Sequence, residues 1–243
     1  NVIPILKEIN PSLNNSISSS LKRLRLVSQL LESSLSDFEK NYVSYENEFI
    51  VINNSFSGNI NNKMILFYEF LNKYGFSFSQ IEKFIPLLKE TNKKLISETH
   101  ELITDRNSLI IKPKSYNFKL NIRTNKVEDI DVGKYKIKSL IYKKGEVSIS
   151  KNKENAQLDY DKIKFPLTYR NYKLGDSFYP LGMKKKKKVS SYISDEKMSY
   201  ISKISQIVVE DSNNQIIWLV GKQISDRFRV NSNTKNILNF EII

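Results

Sequence analysis

Tyr169-Arg170-Asn171-Tyr172-Lys173-Leu174-Gly175-Asp176-Ser177-Phe178-Tyr179-Pro180-Leu181-Gly182-Met183, followed by Lys184-Lys185-Lys186-Lys187-Lys188, sets the character of the second half of this 243-residue chain. Two glycines and a proline punctuate it, so the backbone makes tight turns. Such a loop brings main-chain N–H groups close to phosphate while the lysines supply charge. On composition alone, the lysine run reads equally well as a solvated stretch in a chain rich in Ile, Asn, Lys and Ser. Tyr169, Tyr172, Phe178, Tyr179 and Tyr192 are interleaved with the basic residues. Exposed, these rings would stack on unpaired bases; in a small sheet domain such rings more often fill the core.

Outward from the loop, short apolar segments read as strands: Tyr116 to Ile122, Tyr135 to Tyr142 and Glu146 to Ser150 before it, and Gln206 to Glu210 and Ile216 to Val220 after it. Further upstream, Lys94 to Ile103 and Ser108 to Lys112 flank the turn-forming Thr104-Asp105-Arg106-Asn107, which predicts a hairpin. The first 92 residues have a helical period instead. Asn10-Pro11 reads as an N-cap and first-turn proline, and Ile17, Leu21, Leu24, Leu31 and Leu35 predict a long amphipathic helix. A second helix is predicted over Lys63 to Tyr74, with Met64, Phe67, Phe70 and Leu71 as its stripe and Gly75 as its left-handed stop. Ser77 with Gln80 forms a capping-box pair for a third helix containing Ile81, Phe84 and Ile85, which Pro86 kinks or ends. The expected class is α+β: an all-helical domain over 1–92, a hairpin and strand-rich connection over 93–150, and an α+β domain over 151–243. Lys112-Pro113-Lys114 is an alternative hinge.

Lys and Arg number 39 against 26 Asp and Glu, a formal charge of +13, which directs attention to polyanions such as nucleic acid or an anionic membrane. Residues 1–112 hold 13 basic and 12 acidic side chains, and residues 113–243 hold 26 and 14. A polyanion site therefore belongs in the strand-rich part, with the helical part as spacer or partner surface. Cysteine is absent and His100 is the sole histidine, so these residues offer no thiol nucleophile, disulfide or Cys/His zinc site. No two of the seven glycines lie closer than seven positions, which excludes GxGxxG and Walker phosphate cradles. No apolar run approaches the ~18 residues of a membrane span, and no signal-peptide pattern opens the chain; from the absence of cysteine a cytoplasmic location is expected. The opening Asn1, with no initiator Met, reads as a fragment or processed product.

Two constellations invite a catalytic reading. His100, in Ser97-Glu98-Thr99-His100-Glu101, suggests a Ser/His/acid triad, but no nucleophile elbow accompanies it, and a hydrogen-bonded structural histidine on a strand is the expectation. Asp159 and Asp161, two apart, would share one face of a strand as a metal or acid/base pair. A solvated strand face is preferred there, and no catalytic or metal residue is assigned.

The run from Phe165-Pro166-Leu167 through Arg170, Gly175-Asp176, Pro180-Leu181-Gly182-Met183, Lys187-Lys188, Asp195 and Lys197 resembles the C-terminal domain of the bacterial tRNA(Ile)-lysidine synthetases. Ile217-Trp218-Leu219-Val220-Gly221 and Asp226-Arg227-Phe228 look like that domain's final strand and tail. Asn1-Val2-Ile3-Pro4-Ile5-Leu6 with Asn10-Pro11, and Tyr74-Gly75-Phe76 with His100, Leu102 and Asp105-Arg106, are similar to the family's helical middle region and its continuation. Two positions depart from the family pattern: Lys185 stands where glycine is common and Ser191 where an acid is.

The resemblance implies a small sheet sandwich for the last domain. It also implies a parent ligase that uses ATP, with Mg, to adenylate the wobble cytidine of a CAU-anticodon isoleucine tRNA, after which lysine's amine displaces AMP to form lysidine. In such enzymes the ATP-binding domain is N-terminal and carries a Ser-Gly-Gly-x-Asp-Ser loop, which this sequence lacks. The chain is thus expected to be the tRNA-binding C-terminal part, inactive alone and without a cofactor of its own. Its expected partners are the tRNA, its own ATP-binding domain and, as an open question, a second copy, but no membrane. Contacts to the RNA backbone are assigned to Arg170, Lys173, Lys184, Lys185, Lys186, Lys187, Lys188, Lys197 and Arg227. Gly175, Asp176, Pro180 and Gly182 shape the turns, and Asp176 either holds a turn or pairs with Arg170. The rival readings are a stand-alone RNA-binding adaptor and a peripheral membrane protein held by the lysines, the latter lacking an amphipathic or lipid anchor beside them.

Overall fold

The computed structural model describes residues 2–150 and 152–243, and the chain divides into two units between Tyr116 and Asn117. Asn1, which opens the resemblance, and Lys151, which opens the domain expected over 151–243, lie outside the described residues.

The first unit runs α1 (Val2–Ile9), α2 (Leu13–Tyr42), β1 (Val43–Glu46), β2 (Phe49–Asn53), α3 (Ile60–Asn72), α4 (Phe78–Phe84), β3 (Lys94–Ile96), β4 (His100–Thr104) and β5 (Ser108–Pro113). Local chemistry sets the helix ends. Ser77 N–H donates to Gln80 Oε1 (2.9 Å) and Gln80 N–H to Ser77 Oγ (3.4 Å), completing the capping box of α4. Gly75, at φ 80°, provides the left-handed residue after α3, and Pro86 falls in a short 3-10 turn, Ile85–Leu87, that ends α4. Asn10 acts one step earlier than expected: its Oδ1 accepts from Ser12 N–H (3.1 Å), shaping the turn between α1 and α2.

The five strands form one antiparallel sheet in the order β1-β2-β5-β4-β3. Phe38, Phe56, Phe67, Phe70, Phe76 and Ile81 from the helical side meet Ile52, Leu102, Leu109 and Ile111 from the sheet. The first unit is therefore not all-helical. The hairpin expected as a connection belongs to it, because Leu102, Leu109 and Ile111 close the helical core. The division at 116/117 replaces the boundaries at 92 and 150 and lies near the alternative hinge at Lys112–Lys114. The β1–β2 hairpin, turning at Asn47 (φ 54°), was not foreseen.

The second unit contains β6 (Asn121–Thr124), β7 (Ile130–Asp131), β8 (Lys136–Lys143), β9 (Asn155–Asp159), β10 (Leu167–Asn171), β11 (Ser177–Phe178), β12 (Lys187–Lys188), α5 (Val189–Asp195), α6 (Tyr200–Ile204), β13 (Ile207–Glu210), β14 (Ile216–Leu219), β15 (Gln223–Ile224) and β16 (Asn236–Ile242). Two antiparallel sheets, β15-β14-β13-β10-β6 and β7-β8-β16-β9, share one core, the expected sandwich. Tyr169, Val209 and Trp218 from one sheet pack with Ile137, Leu158 and Phe240 from the other, and Trp218 stacks on Phe240 at 5.3 Å. Alternation along β13 sends Val208 to the opposite face, where it joins Leu219, Phe178, Val189, Tyr192 and Ile193 in a second core under α5. Glu146 to Ser150 is not a strand: the Gln157 side chain accepts from Ser150 N–H (2.7 Å) and donates to Ser148 C=O (3.0 Å), taking the place of a pairing backbone. Tyr116 to Ile122 likewise pairs only from Asn121 onward, since Leu120 N–H donates to Asn171 Oδ1 (2.7 Å).

Candidate nucleic-acid interface

The basic loop is built on a clamp. Arg170, near the end of β10, is 8 % exposed and holds Asp176 through both ends of its guanidinium, Nη1 to Oδ2 at 2.7 Å and Nη2 to Oδ1 at 3.1 Å. Its Nε donates to Glu210 Oε2 on the adjacent β13 at 2.9 Å, and Nη2 donates to the same oxygen. Burial opposes the guanidinium charge, but the hydrogen bonds and fields of Asp176 and Glu210 outweigh it, and the Arg170 pKa is raised. Asp176 Oδ2 also accepts from Lys173 N–H (2.6 Å), and Val189 N–H donates to Asp176 C=O (2.9 Å), so one carboxylate residue ties both ends of the loop. Gly175 (φ 96°) makes the sharp turn between them.

The guanidinium assigned to the RNA backbone at Arg170 is engaged with two carboxylates inside the fold. Asp176 holds the turn and pairs with Arg170 at once. Glu210 is the residue that sequence reasoning missed; the available signal was an acid closing the apolar run Ile207-Val208-Val209, where a carboxylate needs a cation.

Beyond the clamp, β11 and β12 form a two-stranded ribbon, Ser177 opposite Lys188 and Phe178 opposite Lys187, with Phe178 anchored in the core under α5. Lys184, Lys185 and Lys186 fall on the connection between Gly182 (φ 82°) and this ribbon, and all three are exposed, as are Lys173 and Lys188. Lys187 is half-buried, paired with Asp195 at 2.7 Å and placed 5.5 Å from the Tyr192 ring centre. Pro180 bridges Ser225, and Gly182 N–H donates to Asp226 Oδ1 (2.9 Å), fixing the loop's far side. Arg227 lies over the Tyr179 ring at 3.9 Å and donates to its hydroxyl at 2.7 Å. Lys197 is exposed after α5 in a left-handed conformation, φ 52°. Of the five interleaved rings, Tyr169, Phe178 and Tyr192 are buried, Tyr172 packs against the core under α5, and Tyr179 is covered by Arg227.

The two catalytic-looking constellations are engaged by their neighbours within the fold. His100 opens β4, its Nδ1 2.8 Å from Thr99 Oγ1 and its ring edge-on to Tyr74 at 5.2 Å. Burial holds its pKa below the ordinary histidine range, partly offset by a backbone hydrogen bond at Tyr74. Asp159 and Asp161 do not share a solvated strand face. Asp159 is 3 % exposed and paired with Lys162 at 3.0 Å, whereas Asp161 sits in a 3-10 turn accepting from the Lys235 N–H (2.9 Å) and Asn236 Nδ2 (3.0 Å) that open β16. Among the described residues, no group of three or more His, Cys, Asp or Glu stands in a metal-holding arrangement, and no helix is long and apolar enough to cross a membrane.

A sheet sandwich carrying a cationic loop thus follows a helix-backed sheet along the chain. Residues 45–114, from β1 to β5, match the family described as "TilS substrate binding domain". The chain is 35 % identical to the tRNA(Ile)-lysidine synthase of Parabacteroides distasonis over 98 % of its own length and 54 % of that protein, and 29 % identical to that of Bacteroides thetaiotaomicron over 100 % and 54 %. A solved structure described as the TILS C-terminal domain superposes at a TM-score of 0.42, with 18 % identity, over 50 % of this chain and 95 % of that one. The chain belongs to the tRNA(Ile)-lysidine synthase family, and it spans about half the length of the curated relatives it matches.

Proposed function

We propose that this chain is the tRNA-holding, non-catalytic part of a tRNA(Ile)-lysidine synthase. In this reading the remainder of the polypeptide adenylates the wobble cytidine of the CAU-anticodon isoleucine tRNA with ATP and Mg and joins lysine to it. This part grips the tRNA body so that the anticodon reaches the active site, a gain through positioning. The observation that carries the reading is the exposed Lys184-Lys185-Lys186 tip on a rigid base formed by Arg170, Asp176 and Glu210. Lys173, Lys188, Lys197 and Arg227 extend the cationic surface to its flanks, and Lys187 contributes while braced by Asp195. A duplex backbone is read by such a surface through phosphates and 2′-hydroxyls.

The test is the affinity of the chain for the CAU-anticodon isoleucine tRNA across a salt series, beside a variant with Lys184, Lys185 and Lys186 changed to Gln. Each phosphate contact contributes about 0.7–0.9 to the slope of log K against log salt. The triple variant is expected to bind more weakly with a slope shallower by roughly 2. An unchanged slope removes the loop from the interface, and failure of the unmodified chain to bind at low salt removes the tRNA-holding role.

A further inference from the structure

A cleft of about 360 Å³ opens in the second unit beside the basic loop. Its size is at the small end of ligand clefts, roughly 300–1,000 Å³. Ile149 and Leu181, 61 % and 42 % exposed, stand with Ile224 along its walls, and Trp218 lies at its inner side. Isolated from any ligand, two such exposed aliphatic residues facing one cleft leave apolar surface in water. The polar part of the lining is cationic and amide-rich: Lys222 supplies positive charge, Lys153 does so while paired with Glu196 at 3.6 Å, amide groups including Gln223 supply donors and acceptors, and no carboxylate is present among the described lining residues. Gln157 is already engaged with Ser148 and Ser150, which fixes that wall. The Lys222 and Gln223 side chains make no hydrogen bond or ion pair among the described residues.

Apolar walls that accept a flat body, amides that accept its edge, and the ammonium of Lys222 together fit a nucleotide. The cleft is also joined to the loop, since Leu181 N–H donates to Ile224 C=O at 3.2 Å and Gly182 N–H to Asp226 Oδ1. We propose that this cleft receives one unpaired nucleotide of the RNA whose backbone lies along Lys184–Lys186. This rests on the tRNA-holding reading and deepens it, because a loop of lysines alone does not distinguish a blunt duplex from one with a single-stranded end.

The experiment compares the binding of the full chain to a blunt RNA duplex and to the same duplex with a short single-stranded 3′ extension. A second arm uses an Ile149→Ser/Gln223→Ala variant, whose neutral changes leave the electrostatics of the loop intact. The extension is expected to tighten binding about fivefold or more, the scale of burying part of one base against aliphatic walls, and the variant to lose that preference while keeping its affinity for the blunt duplex. Trp218 is the chain's sole tryptophan, so its emission should respond to the extended RNA and not to the blunt one. Equal binding of the two RNAs by the unmodified chain overturns the cleft and leaves the tRNA-holding reading standing, as does a variant that weakens both RNAs alike. Binding of neither RNA overturns both.

Discussion

Arg170 shows how one residue sets the limits of a basic surface. Its charge lies between two carboxylates with all three side chains 14 % exposed or less, so it is costly to disturb and unavailable to a ligand. Replacing it by Met should destabilise the second unit by roughly 3–5 kcal/mol, because Asp176 and Glu210 would be left buried without a counter-charge. Arg170→Lys should recover little of this, since a point ammonium cannot hold two carboxylates in a fork. Denaturant unfolding of the variants checks both, and full stability in Arg170→Lys would show that charge alone suffices. The pairing of Arg170 with Asp176 was legible from their place around a glycine turn. The contribution of Glu210 was not, because it arrives from a strand forty residues downstream, and cross-strand register is set by tertiary packing.

His100 gives the residue scale its pH dependence. Its pKa is lowered in the fold, so the unfolded chain binds the proton more readily. This contribution to stability is complete above the ordinary histidine pKa of about 6.5 and is lost as the pH falls below it. The first unit's unfolding midpoint should therefore decline on acidification through that window, and His100→Asn should flatten this part of the profile. A decline of the same size in the variant would assign it to other groups.

Among the elements, α2 separates what periodicity can and cannot tell. The stripe Ile17, Leu21, Leu24, Leu31, Leu35 correctly marks a helix, yet only its C-terminal end enters the core, where Phe38 meets Phe56 and Phe70. Ile17, Leu21 and Leu24 stay 49 %, 49 % and 62 % exposed within the unit. Phe38→Ala should thus cost about 3–5 kcal/mol, whereas Leu24→Ala should stay within about 0.5 kcal/mol. Thermal melts of the two variants decide, and a large loss for Leu24→Ala would mean that the helix is packed along its whole length. Caps and breakers were readable because their chemistry is local, as at Ser77, Gln80, Gly75 and Pro86. The β1–β2 hairpin and the irregular Glu146–Ser150 were not readable, because a side chain from elsewhere or a neighbouring strand decides whether such a short run pairs.

On the scale of the whole molecule, the two units differ in charge. Residues 1–116 carry 14 basic and 12 acidic side chains, and residues 117–243 carry 25 and 14. Each unit closes its own hydrophobic core, so residues 117–243 expressed alone should unfold cooperatively. The salt dependence of RNA binding comes from displaced counterions and therefore follows the cations. The isolated second unit should keep nearly the full slope of log K against log salt. The first unit, which holds the match to the substrate-binding family at 45–114, should add affinity through shape and hydrogen bonding that changes little with salt. Parallel lines for the whole chain and for residues 117–243, displaced by a constant, are the expected result. If the slope of the isolated second unit falls to near zero while it remains folded, its lysines do not meet phosphate, and the grip on RNA lies in the helix-backed sheet instead.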